Sequence, residues 1–112
     1  MIRCGNVQVW LASDPVDMRR SFDSLAEHVR AFLGQDPLCG NLFVFRSRNG
    51  QKAKILWFDR HEGQASGSGL AIYYKRLEKG TFPFPATDQR SLAISSAQLM
   101  RLLAGLEINT PQ

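Results

Sequence analysis

Apolar residues near the start of the chain recur at two different spacings. Val7, Val9 and Leu11 occupy every second position, so residues 6–12 predict a β-strand. From residue 22 onward the apolar positions lie three and four residues apart, which predicts one amphipathic helix over residues 18–33. Asp17 is expected to cap its first turn, and Gly34 suits the left-handed residue that follows its last turn.

A β-hairpin is predicted over residues 42–58. Two strand-like runs, 42–48 and 51–58, flank Asn49-Gly50, a pair typical of a two-residue turn in which both residues have positive φ. The resulting register pairs Arg46 with Ala53 and Phe45 with Lys54. The base of this hairpin is apolar on both faces and its tip is basic on both faces. We therefore expect the base in the centre of a sheet and the tip in water.

The second half of the chain predicts shorter elements. Residues 60–69 are rich in Gly and Ser and predict a flexible loop, and residues 70–77 predict a third strand. Residues 81–85 alternate Phe with Pro, which allows an edge strand or extended coil. Residues 92–94 predict a short strand, and a helix follows from Ser95 or Ser96, with Ser95 and Gln98 forming a capping box. The expected fold is α+β, an antiparallel sheet of four or five strands with two helices packed on one face.

Length and composition fit one globular domain spanning residues 1–112, with an ordered core of about residues 6–108. The chain has 112 residues, 44% of them hydrophobic and 21% charged. Cys4 and Cys39 are far apart and outside any Cys-x-x-Cys pair, so we expect two reduced thiols rather than a disulfide. No apolar stretch has the length of a membrane span or a signal peptide, which predicts a soluble cytoplasmic protein.

The positive charge is concentrated in the predicted hairpin. The chain carries a formal net charge of +4, and residues 41–58 contain four basic and no acidic side chains. These four residues are Arg46, Arg48, Lys52 and Lys54, and a second basic cluster contains Lys75, Arg76 and Lys79. One interpretation is a basic ribbon that contacts nucleic-acid phosphates. The other is a solvated hairpin tip, because basic side chains also protect exposed strands from aggregation.

The sequence offers little catalytic chemistry. His28 and His61 are far apart and lack metal-ligand spacing, and His28 is expected at the surface of a helix or half-buried. The carboxylates are scattered, and Asp59, at a strand end, is the one candidate acid, although capping the following loop is the simpler role. No phosphate-binding glycine loop precedes a helix, and there is no nucleophile elbow. We therefore predict no catalytic residues, no metal and no cofactor, and we do not expect the chain to be an enzyme on its own.

Three segments together carry a family resemblance. They are residues 17–25, residues 42–50 continuing to 54–59, and residues 74–85. In this order they resemble the TnpB accessory protein of the insertion-sequence-66 family of bacterial transposons, over nearly the whole chain. The loop 61–69 is longer than that family's short turn, and Phe84 stands where a tryptophan is usual. The resemblance implies a non-catalytic role in transposition beside a separate, larger transposase, with no catalytic residues to carry over.

Two functions remain open at this point. The first is a DNA-binding accessory factor that contacts phosphates through the seven basic residues of the two clusters. The alternative is a module that binds the transposase without touching DNA, through an exposed apolar strip that contains Phe82 and Phe84. Both phenylalanines would instead cover the core if the strip is not exposed. A third hypothesis is a nuclease or other enzyme that uses Asp59.

Overall fold

A five-stranded mixed sheet forms the centre of the computed structural model, which describes residues 7–63 and 67–109. The strands are β1 (Val9–Ala12), β2 (Leu42–Arg46), β3 (Lys52–Asp59), β4 (Gly69–Arg76) and β5 (Ser91–Ile94), in the order β4-β3-β2-β1-β5. The two helices are α1 (Phe22–Ala31) and α2 (Ser96–Leu103). The α+β fold and the mostly antiparallel sheet are confirmed. Within the described residues, the one parallel pairing joins β1 to β2, because the chain crosses over through α1 between them.

The two helices lie on opposite faces of the sheet, so the expectation of one shared face is wrong. Leu25, Ala26 and Val29 of α1 pack in one buried cluster with Phe43, Phe45 and Leu56. Leu99 and Leu102 of α2 pack in a second cluster, with Val9, Leu11, Val44, Ile55 and Ile94. Successive side chains of a strand point to opposite faces, so a strand that is apolar at every position must be covered twice. β1 reads Val-Trp-Leu-Ala and contributes to both clusters.

The first helix begins later than the sequence predicts. Phe22 is its first residue and Ser21 its N-cap, and the Ser24 hydroxyl accepts a hydrogen bond from the Ser21 N–H at 3.2 Å. Asp17 does not cap this helix. Its carboxylate accepts a hydrogen bond from the Arg19 N–H at 2.8 Å. The Arg20 N–H donates to the Asp17 carbonyl, which closes a turn separate from the helix. A short polar side chain this close to its own backbone favours such a turn over helix.

Two predicted capping features are confirmed, although α1 ends at Ala31 rather than at residue 33. Gly34 has a φ of +66°, and the Gln35 N–H closes the end of α1 on the Val29 carbonyl at 3.1 Å. The Ser95 hydroxyl accepts from the Gln98 N–H at 3.0 Å, and the Gln98 side chain accepts from the Ser95 N–H at 2.7 Å. α2 therefore starts on the predicted capping box.

Several sequence predictions fall partly outside the described residues. Cys4 lies outside them, whereas Cys39 is half-buried against the α1 cluster. Residues 64–66 of the predicted loop also lie outside, and beside them the Ser68 hydroxyl accepts from the His61 N–H at 3.0 Å. Within the described ranges, neither helix has the length and apolar character needed to cross a bilayer.

Candidate nucleic-acid interface

The hairpin has the predicted register but a different turn. Arg46 pairs with Ala53 and Phe45 with Lys54, as expected. The Gly50 N–H donates to the Ser47 carbonyl at 3.0 Å, and Gly50 alone has a positive φ, of +75°. Asn49 contributes through its side chain instead, because its Oδ1 accepts from the Gln51 N–H and from the Ser47 hydroxyl. These bonds fix a short loop of the type I class, closed by a left-handed glycine.

The segment that follows β4 docks on this turn. The Leu77 N–H donates to the Gln51 carbonyl at 2.9 Å, and the Phe82 N–H donates to the Gly50 carbonyl at 2.8 Å. The Gln51 side-chain amide returns a hydrogen bond to the Leu77 carbonyl at 3.1 Å. Both basic clusters of the sequence are therefore brought to the same end of the sheet.

Three of the seven predicted basic residues use their charged groups inside the fold. Lys54 donates from Nζ to the carbonyls of Met18, at 2.7 Å, and Arg20, at 2.6 Å, and lies 4.7 Å from the centre of the Tyr74 ring. Arg46 donates from Nη2 to the Ser13 carbonyl at 2.8 Å. Lys75 donates from Nζ to the Leu103 carbonyl at 2.9 Å. These three side chains tie the sheet to the segments that cover it.

Lys54 is the most deeply placed of the three. Only 7% of its surface is exposed, and this burial lowers the pKa of its ammonium group below the ordinary value, against the attraction of Asp17. The sequence carries a signal for this, because Lys54 lies between Ala53 and Ile55 in an apolar strand and opposite Phe45. An ammonium group at such a position needs internal acceptors, and here it has two.

The other four residues form what we call the basic end: Arg48, Lys52, Arg76 and Lys79. Arg48 and Lys79 are exposed, and Lys52 is half-buried and pairs directly with Arg76 across β3 and β4. Over residues 7–63 and 67–109, no hydrogen bond or ion pair engages the charged groups of Arg48, Lys52 or Lys79. Arg76 makes an exposed ion pair with Glu78 at 3.4 Å, a kind of pair that holds its partners weakly.

A groove of about 430 Å³ runs beside the basic end. Pro15, Val16 and Met18 line one side, and the hairpin turn with Arg48 and Lys52 lines the other. Asp17 also borders it, but Arg19 binds that carboxylate through two nitrogens, with Nη2 at 2.7 Å and Nε at 3.1 Å. These hydrogen bonds hold the pKa of Asp17 well below its usual range. The carboxylate of Asp17 at the groove is thus already paired with a neighbouring cation.

The apolar strip proposed for partner binding is not exposed as expected. Phe82 is only 4% exposed, and Phe84 is half-buried against the α2 cluster, with the Arg46 guanidinium 5.8 Å from its ring centre. The Phe84 N–H donates to the Phe82 carbonyl at 2.9 Å, which closes a tight turn around Pro83. Both phenylalanines cover the core because their coil lies over the sheet rather than along its edge.

The remaining candidate residues are not brought together. His28 is half-buried on α1, and burial together with Arg20 lowers its pKa. Asp59 is exposed at the end of β3, and His61 is exposed in the following loop. Across the described residues, no three His, Cys, Asp or Glu side chains lie close enough together to hold a metal ion.

Comparison with known proteins places this chain in a family. The family model described as IS66 Orf2 like protein matches residues 7–112. The chain belongs to this family. The uncharacterized protein y4hO of Sinorhizobium fredii is 44% identical over 107 residues, which cover 96% of this chain and 87% of that protein. The uncharacterized protein y4jC of the same organism is 34% identical over 101 residues, covering 90% and 80% respectively. No solved structure matches the chain.

Membership confirms the resemblance seen in three sequence segments. It supports an accessory role in the transposition of IS66 elements. Sequence reasoning found the basic clusters but missed the groove and the side-chain network of Asn49. The Asn49-Gly50 pair signals a turn, yet it does not tell which of its residues takes the left-handed conformation.

Proposed function

We propose that this protein is a non-catalytic accessory factor of IS66 transposition that binds DNA phosphates through the basic end, beside the element's transposase. The observation that carries the proposal is the set of unengaged cations at one end of the sheet, Arg48, Lys52 and Lys79. They come from two separate segments, which the hydrogen bonds between residues 50–51 and 77–82 hold side by side. These hydrogen bonds fix the backbones of the two segments relative to one another.

The electrostatics of the basic end favour a polyanion. Arg76 extends the set, and its partner Glu78 is exposed and easily displaced by a phosphate. Arg19 binds Asp17 and offsets part of the negative charge at the edge of the groove. Arginine and lysine contacts to phosphates position a protein on DNA without reading its sequence. The basic end is therefore proposed as a positioning surface.

Salt dependence of DNA binding tests this proposal. Each phosphate neutralised on duplex DNA contributes about −0.9 to the slope of log K against log salt, so the four residues of the basic end together predict about −3.6. The assay is fluorescence anisotropy of the full chain with a duplex that carries an IS66 terminal repeat. The double variant Arg48→Gln/Lys52→Gln is expected to make the slope shallower, at about −1.8.

A matched double variant controls for net charge. Arg30 and Arg101 are exposed on α1 and α2, outside the basic end, so Arg30→Gln/Arg101→Gln removes the same charge. It is expected to keep most of the wild-type slope. A wild-type slope near zero, or equal loss in both double variants, would refute the basic end as the DNA contact. The transposase would then be the next partner to test.

A further inference from the structure

The outer edge of β4 is a long, regular strand edge. β4 is the terminal strand of the sheet and pairs with β3 at all eight of its positions, from Gly69 to Arg76, without a bulge or a proline. β5, at the other edge, has four residues. Natural proteins usually shorten, bend or cover an edge of this kind, because it offers a template for another strand.

The hydrogen-bond pattern shows which backbone groups of β4 point outward. The Leu77 N–H is directed at β3, where it donates to the Gln51 carbonyl. In an antiparallel pair this direction alternates, so the odd-numbered residues of β4 bond to β3 and the even-numbered ones point away. The outward residues are Leu70, Ile72, Tyr74 and Arg76. Within residues 7–63 and 67–109, their outward N–H and C=O groups have no hydrogen-bond partner.

Exposed aromatic surface accompanies this open edge. Tyr73 is 45% exposed on the α2 face, and Tyr74 is 49% exposed on the α1 face. Tyr73 borders an apolar groove of about 460 Å³, together with Trp57, Leu103 and Met100, the last 68% exposed. Side chains and backbone at the β4 edge therefore both offer surface to a further strand.

We propose that two copies of this chain pair β4 with β4, antiparallel, about a two-fold axis beside Tyr73, to form one ten-stranded sheet. Directly paired residues must lie on the same face of the combined sheet. In a two-fold symmetric pairing, an odd-numbered residue therefore faces an odd-numbered one and an even-numbered residue faces an even-numbered one. With Tyr73 opposite Tyr73 of the partner subunit, Ile72 faces Tyr74 and Leu70 faces Arg76. Each of these outward pairs exchanges two hydrogen bonds, and together they use every outward group of both strands.

Neighbouring registers use fewer of these groups. A shift by two positions in one direction places Arg76 opposite Ser68, beyond the end of β4, and a shift in the other direction places Leu70 opposite Glu78. The register centred on Tyr73 is thus the one in which β4 is fully complementary to itself. It also brings the two Tyr73 side chains together as a cross-strand aromatic pair.

The charge distribution of β4 favours the same arrangement. Its only charged residues, Lys75 and Arg76, lie at its C-terminal end, and the first half of the strand is neutral. Antiparallel pairing places Arg76 opposite Leu70 and Lys75 opposite Ala71, whereas a parallel in-register pairing would oppose like charges. Lys75 is in addition held within its own subunit by the Leu103 carbonyl. A second copy therefore meets no charge repulsion along the ladder.

Charge substitution at Tyr73 tests this register, because each Tyr73 lies opposite the same residue of the second copy. The full chain is expected to show a concentration-dependent dimer mass by sedimentation equilibrium. In this register the two Cα atoms at position 73 lie about 4.5 Å apart, so Tyr73→Lys and Tyr73→Glu each place two like charges side by side. Each variant should therefore be monomeric. An equimolar mixture of the two variants should form the heterodimer in native mass spectrometry. Wild-type protein that stays monomeric, or a Tyr73→Lys variant with the wild-type dimer mass, would overturn the proposal.

Cysteine cross-linking provides a second test with a matched control. A Cα separation of about 4.5 Å falls within the range that a disulfide spans, so Tyr73→Cys should oxidise to a covalent dimer. Tyr74→Cys, equally exposed on the adjacent position, faces Ile72 and should not. Equal cross-linking of the two variants would contradict the register. Neither experiment contains DNA, so its outcome is independent of the proposed DNA binding.

Discussion

Lys52 and Lys54 lie two positions apart on the same face of β3, but their ammonium groups have different environments. The Lys54 ammonium is buried and donates to two backbone carbonyls, whereas the Lys52 ammonium belongs to the basic end. Replacing either lysine with methionine removes one charge and keeps most of the side-chain volume. We expect Lys54→Met to lower stability without changing the DNA contact, and Lys52→Met to do the reverse.

The magnitudes follow from the contacts. A hydrogen bond from a charged donor contributes about 1.5–3 kcal/mol, and Lys54→Met removes two and leaves the Met18 and Arg20 carbonyls without their donor. Release of the buried charge offsets part of this loss, so we expect a net destabilisation of about 2–4 kcal/mol. For a chain of 112 residues this corresponds to a fall in Tm of about 4 °C per kcal/mol. Lys52→Met should stay within about 0.5 kcal/mol of wild type.

Two measurements on each variant test the different roles of Lys52 and Lys54. Urea denaturation gives the change in unfolding free energy, and anisotropy titrations over a range of salt give the slope for DNA binding. Lys52→Met should reduce the slope by about 0.9 and Lys54→Met should leave it unchanged. The assignment of Lys54 to the interior is refuted if Lys54→Met is as stable as wild type, or if its slope falls as far as that of Lys52→Met.

Three further predictions concern stability. Gly50→Ala should destabilise more than Gly80→Ala in urea denaturation, by about 1 kcal/mol, which is the usual cost of a steric overlap. Both glycines have positive φ, but only at Gly50 would a Cβ lie 3.1 Å from the Thr81 side chain. Equal losses would contradict this. Phe82→Ser should lower the free energy of unfolding by about 3–5 kcal/mol in urea, because the ring is buried. An unchanged urea midpoint would contradict the burial of this ring. Burial lowers the folded-state pKa of His28 below its unfolded value of 6.5, so its contribution is full above that pH and declines as the pH falls through the lowered pKa. Wild type should therefore lose more stability than His28→Gln between pH 8 and pH 5, and parallel profiles would refute this assignment.

The sequence determined the local elements of this protein. The spacing of apolar residues located both helices and most strands, because burial of one face imposes a period of 3.6 or of 2. Asn49-Gly50 set the hairpin register, and Ser95 with Gln98 set the start of α2, because these signals act within a few residues. The three family segments were likewise readable from the order of residues alone.

The contacts of each charged or aromatic side chain depend on the tertiary fold. Lys54 and Arg48 are both basic residues of the same hairpin. The Lys54 ammonium donates to the Met18 carbonyl, 36 positions away in the chain, whereas the Arg48 side chain lines the groove. Phe82 is buried because the segment after β4 folds back over the hairpin turn. The opposite placement of the two helices and the open edge of β4 likewise arise from the strand order. The apolar neighbours of Lys54 signal that it is buried, but the carbonyls that accept from its ammonium group are set by the whole topology, because they lie far away in the chain.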